Sequence, residues 1–239
     1  MNTLKALLLL AVASTSIFTF ACTNSNTNSG STETSVTWGA ELGTTSITAS
    51  ISGKEQSTLQ AITMLQIQRV RLLVKELKAK PSKDNTGASD KQVKLSPFVI
   101  EWLPNQTTVF ATALLPIGEY DQAKFQIHRF TPPEVTQYQN DAIFRDFVLP
   151  DRATAIIEGT VSENGVSQAF IYRSDATANL NLNFDNVITV ASSGTTTIVM
   201  QFNPLLVFKK GNVLLDPRDT KNRNDIDNLI RTAIRTFKR

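Results

Sequence analysis

Alternation of apolar and polar residues with a period of two runs through most of this chain. Thr45 to Ile51 sets Ile47, Ala49 and Ile51 on one face and Ser46, Thr48 and Ser50 on the other, and Gly53 closes the run. That is the pattern of a half-buried strand. Leu59 to Lys80 admits two periods. Leu59, Ile62, Val70, Leu73, Val74 and Leu77 fall near one helical face, whereas Val70, Leu72 and Val74 alternate with Arg69, Arg71, Leu73 and Lys75. Its β-branched content favours a strand from about Ile62 to Leu77.

Pro81 to Lys91 reads as a charged loop, followed by strands at Val93–Trp102 and Thr107–Leu115 with Pro104-Asn105 turning between them. Leu115-Pro116-Ile117-Gly118-Glu119-Tyr120 is a tight turn into a further strand, Tyr120–Phe130. Asn164-Gly165 between Ala153–Glu163 and Val166–Ser174 predicts a hairpin, because Asn-Gly tolerates the positive φ angles of a type I′ turn. Leu180, Leu182 and Phe184 alternate with Asn181, Asn183 and Asp185, and Thr195–Phe202 completes the series. Many short strands joined by turns predict a mainly β domain, an antiparallel sandwich of prealbumin or immunoglobulin type.

Only the last segment changes period. Ile226, Leu229, Ile230, Ala233, Ile234 and Phe237 recur at helical spacing, which predicts an amphipathic helix over 225–238 with Asn224 or Asp225 as N-cap. Its apolar stripe either docks on the β domain or serves a membrane or partner.

The first residues set the address. Lys5 precedes an apolar run, Ala6–Phe18, that is too short to span a bilayer and leads to Thr19-Phe20-Ala21-Cys22. This junction resembles the lipobox of bacterial lipoproteins, in which the cysteine is acylated and becomes the first residue. Thr19 and Phe20 depart from the usual pattern, and ordinary signal peptidase could also cut after Ala21. The expected organisation is a signal peptide at 1–21, a lipidated Cys22 with a tether at 22–37, and one domain at 38–239. Thr23 is not the Asp that favours inner-membrane retention, which leans toward an outer-membrane lipoprotein facing either the periplasm or the surface. Cys22 is the sole cysteine, so no internal disulfide forms.

The net charge of +3 gives no nucleic-acid signature. From Val207 onward, however, nine Lys/Arg stand against four Asp, whereas Cys22–Leu206 has fourteen against seventeen Asp/Glu. A solvated helix face accounts for the basic tail. His128 is the single histidine, so a zinc centre or a Ser-His-Asp triad would rest on it alone. No nucleophile elbow, phosphate-binding glycine loop or cofactor motif occurs.

Two places invite ligands. The long connection Thr131–Asp151 carries Tyr138, Phe144 and Phe147, aromatics that would stack on sugar rings if exposed. Asp216, Asp219, Asn222 and Asp225 form the densest group of oxygen ligands. They miss the spacing of an EF-hand loop, so calcium is a weak candidate against helix capping.

Ile67-Gln68-Arg69-Val70-Arg71-Leu72-Leu73-Val74, with Leu114-Leu115-Pro116-Ile117-Gly118-Glu119-Tyr120-Asp121 running into Phe125-Gln126-Ile127, resembles bacterial surface lipoproteins that carry the domain of unknown function 4382. Ile117 departs from their usual Leu-Pro-Ala-Gly turn. Ile157-Glu158-Gly159-Thr160 and Leu215-Asp216-Pro217 look like the carboxyl half of related lipoproteins in the Bacteroidetes and Ignavibacteria. The resemblance implies an envelope β-sandwich and transfers no catalytic residue. The expected function is a noncatalytic module, anchored to the membrane by lipid on Cys22, that binds or scaffolds a glycan, a protein or another envelope component. A secreted hydrolase acting through carboxylates, or an accessory subunit of an outer-membrane assembly, are the alternatives.

Overall fold

A computed structural model describes residues 32–49, 62–83 and 89–239, which belong to one compact unit. Cys22, the signal peptide and most of the expected tether lie outside the described residues. The structure is mainly β, 58% strand and 14% helix over the described residues, and its strands form one large mixed sheet curled into a half-barrel.

Strand β1 (Glu33–Leu42) opens the domain, so Glu33–Thr37, expected in the tether, are part of the sheet. They pair with residues of two other strands, and Val36 is fully buried. After β2 (Ser46–Thr48) comes β3 (Met64–Pro81), the 18-residue strand at the centre of the fold. The strand reading of this stretch holds because the middle of β3, Val70–Val74, is buried on both faces. A segment apolar on both sides satisfies the helical spacing by accident.

Next come β4 (Lys91–Trp102), β5 (Thr107–Pro116) and β6 (Gly118–Ile127), then helices α1 (Pro132–Tyr138) and α2 (Arg145–Val148). The hairpin β7 (Ala155–Glu163) and β8 (Val166–Ser174) turns at Asn164 and Gly165, with φ of 50° and 78°, as the Asn-Gly pair requires. It is followed by β9 (Ala178–Val190), β10 (Thr196–Phe202), α3 (Pro204–Phe208) and the small ladder of β11 (Lys209–Lys210) with β12 (Val213–Leu214). A 3-10 turn at Thr220–Asn222 leads into α4 (Arg223–Ile230), and β13 (Ile234–Lys238) ends the chain.

The sheet runs β5-β1-β10-β13-β9-β6-β3-β7-β8, and β2 and β4 also pair with β3. Two pairs, β1–β10 and β13–β9, are parallel, so the sheet is mixed where an antiparallel sandwich was expected. Curling is forced by a connection: β5 ends at Pro116 and β6 starts at Gly118, although five places separate them in the sheet. A single residue, Ile117, can join them only if the sheet bends round until they meet. Inside the curl lies the core, with Trp38, Trp102, Phe202 and Phe208 fully or almost fully buried. Trp102 Nε1 donates to the carbonyl of Met200 at 2.7 Å, tying β4 across the core to β10.

The terminal helix expected over 225–238 is a correction. Helix stops at Ile230, and Ile234–Lys238 is a strand inserted between β10 and β9. Ile226, Ile230, Ala233 and Ile234 are all buried, so the apolar stripe is consumed inside the domain. Ile234 and Thr236 also obey a period of two, and Thr236 Oγ1 donates to the carbonyl of Asn183 at 3.3 Å. Backbone pairing with β10 outweighed helical propensity, which is a weak preference.

Candidate functional site

Helices α1 and α2 form a cap on the outer face of β3. Leu73 points outward there and is covered by Phe130, Phe147, Val148, Ala153 and Ile156 in a second small core. Thr131 and Glu134 make a capping box at the start of α1, and Pro132 and Pro133 occupy its first turn. Glu134 also accepts from His128 Nε2 at 2.9 and 3.0 Å. Burial alone would raise the Glu134 pKa, but hydrogen bonds from the Thr131 backbone, the Thr131 hydroxyl and His128 bring it below the ordinary value. The lone histidine therefore fastens α1 to the sheet, and its ring meets Phe130 edge-on at 5.8 Å.

The aromatic candidates sit in this cap. Phe147 is fully buried, a correction to its expected role in an exposed ligand loop. Tyr138 and Phe144 are half-buried, 4.8 Å apart between centroids, and pack on Phe130 at 4.9 and 5.6 Å. Their faces are turned to one another and to the sheet.

Beneath the cap runs a charged ladder. Arg71, 9% exposed, donates to Asp146 at 2.7 Å and Glu158 at 2.8 Å, with its guanidinium 5.7 Å from the Phe147 ring. Arg69 donates to Glu101 at 2.5 Å. Hydrogen bonding to Arg71 outweighs burial and holds the Asp146 pKa below its ordinary value. Alternation in β3 puts both arginines on the outer face, where the Glu residues of β4 and β7 flank them.

A cleft of about 230 Å³ opens beside β8, lined by Ile171, Tyr172 and Arg173 on one side and Pro217, Arg218, Asp219, Thr220 and Arg223 on the other, with Asp151 at its margin. Each arginine is held differently. Arg173 donates through Nε to Asp151 Oδ1 at 2.5 Å and through Nη2 to the carbonyls of Asp146, Leu149 and Asp151 at 2.6, 2.9 and 3.1 Å. It thus closes the end of α2. Arg218 donates to Asp216, Gln168 and Glu163, clamping the tail onto the hairpin, and its pKa is raised chiefly by the hydrogen bond to Asp216.

Arg223 is the exception. Its side chain is 44% exposed, and its only recorded ion pairs among the described residues, to Asp175 at 3.7 Å and Asp227 at 3.8 Å, are longer than hydrogen bonds. Tyr172 stands behind it and donates to Asp227 Oδ1 at 2.7 Å. Burial first, and that hydrogen bond second, raise its pKa and keep the phenol protonated. The cleft therefore offers unused guanidinium donors beside an exposed apolar residue, Ile171, at 67% exposure. A carboxylate suits the first and the apolar face of a sugar ring suits the second.

The calcium candidates line or adjoin this cleft but do not converge as ligands. Asp216 is paired with Arg218, Asp219 caps the 3-10 turn by accepting from the Lys221 N–H at 2.9 Å, and Asp225 accepts from Lys210 at 2.9 Å. The Asn222 side chain donates to the carbonyl of Asp216 at 3.0 Å. Among the described residues no group of three or more His, Cys, Asp or Glu is gathered for a metal. Sequence reading missed Arg173, Arg218 and Arg223. The basic excess after Val207 was the available signal for the last two, but nothing in the pattern brought β8 beside them.

No family model, no curated protein and no solved structure matches this chain.

Proposed function

We propose that this protein is a lipid-anchored component of the bacterial cell envelope, an outer-membrane lipoprotein carried by Cys22, that binds an acidic glycan without turning it over. The cleft at Arg223 is the observation that carries this reading. A ligand carboxylate would take the two donors of a planar guanidinium, a geometry lysine cannot offer. Its ring would rest against Ile171 and Pro217. The aromatics of the cap, first in line as a sugar platform, are used for packing.

Binding without turnover is favoured by the state of the carboxylates around the cleft. Asp151 accepts from Arg173, Asp219 from the Lys221 backbone, Asp216 and Glu163 from Arg218, and Asp227 from Tyr172, while Asp175 is ion-paired with Arg129 at 3.3 Å. Glycoside hydrolysis needs one carboxyl free to carry a proton and a second free to attack or to activate water. Anchoring is supported by the lipobox-like junction and by the likeness of Leu114–Asp121 to envelope lipoproteins.

Two measurements test the proposal. Mass spectrometry of the mature amino terminus, with membrane fractionation, should find an acylated Cys22 in the membrane fraction. An unmodified Cys22 in the soluble fraction overturns the anchor. An array of acidic and neutral glycans should show retention of uronic-acid-bearing glycans with no cleavage, and release of shortened products overturns the noncatalytic reading.

A further inference from the structure

We infer which end of the domain meets the lipid. The inference rests on the anchoring of Cys22 proposed above. From Cys22 to Thr32, the first described residue, there are ten residue steps, so covalent geometry alone limits the distance to about 36 Å. Strand β3, at 18 residues and about 3.3 Å each, is about 60 Å long. The link is shorter than β3, so it keeps Thr32 within about 36 Å of the lipid, and the side chains exposed around Thr32 decide what meets the bilayer.

The end that contains Thr32 is defined by the pairing. The Ile117 N–H donates to the carbonyl of Thr32 at 2.9 Å, and Glu33 pairs with Pro116. Gly118 pairs with Val190 of β9, and Pro81 of β3 pairs with Tyr120. The single-residue crossing at Ile117 therefore lies at the rim. Burial at this rim is incomplete for apolar groups: Ile117 is 42% exposed, Leu114 64% and Val187 52%. Exposed Lys83 and Lys238 stand at the same end, along with Glu33 and Glu119, so the charge is mixed and the apolar side chains supply the contact.

The cleft lies past the middle of β3, away from this rim. Tyr172 pairs with Ile157, which pairs with Val70 of β3, eleven residues from Pro81, or about 36 Å along the strand. Ile117 and Leu114 thus rest in the lipid headgroup region while β3 serves as a spacer that presents Arg223 away from it.

Site-directed fluorescence tests this on the full acylated protein. Ile117→Cys and Ile171→Cys variants are labelled with bimane, an acylated Cys22 leaving no other free thiol, and bound to phosphatidylethanolamine–phosphatidylglycerol vesicles that contain nitroxide lipid. The expected result is loss of fluorescence at 117 and none at 171, with Leu114→Cys as a second reporter that should follow 117. Equal quenching at 117 and 171, or stronger quenching at 171, overturns the orientation while an acylated Cys22 leaves the anchor standing. Mass spectrometry that finds Cys22 unmodified overturns the anchor and the orientation together.

Discussion

The cap and the cleft share Arg173, yet they use their side chains in opposite ways. In the cap, aromatic rings that would suit a ligand are folded against one another, and the polar residues His128, Thr131 and Glu134 hold a short helix in place. A helix of seven residues has little stability of its own and depends on such fastening. In the cleft, carboxylates from several elements hold two of three arginines still, and the third, Arg223, has only the two long ion pairs among the described residues. Residue type alone would favour the aromatic loop as a sugar site, and what separates the two is whether a side chain's capacity is already used.

Substitutions sharpen that contrast. The largest effect is expected for Phe147→Ala, which empties the second core and should cost about 3–5 kcal/mol in denaturant unfolding. If Phe147 served a ligand, stability would hardly change. Arg71→Ala leaves Asp146 and Glu158 without their guanidinium beneath the cap and should cost about 2–3 kcal/mol, less than a fully buried pair because Asp146 is 43% exposed.

Glu134→Gln should cost about 1 kcal/mol through the lost charge-assisted capping. The pH dependence has a definite sign. Because the folded-state pKa of Glu134 lies below its ordinary 4.5, the stabilisation is present above that value and fades as pH falls through the lowered folded value. Melting curves from pH 6 to pH 3 should show the wild type losing stability, with a smaller loss in Glu134→Gln. Equal losses would separate the cap from its carboxylate. The smallest stability effect belongs to Arg223→Ala, within about 0.5 kcal/mol, since its ion pairs are long and exposed. A large destabilisation would make Arg223 a structural clamp like Arg218.

What could be read in advance follows from how local each determinant is. The β7–β8 hairpin was legible because Asn164-Gly165 dictates its own geometry, and β9 because Leu180, Leu182 and Phe184 face the core in strict alternation. The helix was legible over 225–230 but its continuation to 238 was not, since Ile234 fits the helical and the strand period alike and the slot between β10 and β9 decided the outcome. β1 was taken for tether in its first residues because Thr34 and Ser35 are polar, while their pairing with β5 uses only the backbone. The cleft was invisible for a further reason: Arg173 and Arg223 are fifty residues apart and meet through the tail's return across β8.

Binding of the wild type and two variants to one acidic-glycan array tests the assignment of the site most directly. The account predicts that Arg223→Ala abolishes retention of uronic-acid glycans while Tyr138→Ala, matched for folding by its melting curve, retains it. Retention by Arg223→Ala together with loss in Tyr138→Ala would contradict the account and return the site to the aromatic cap.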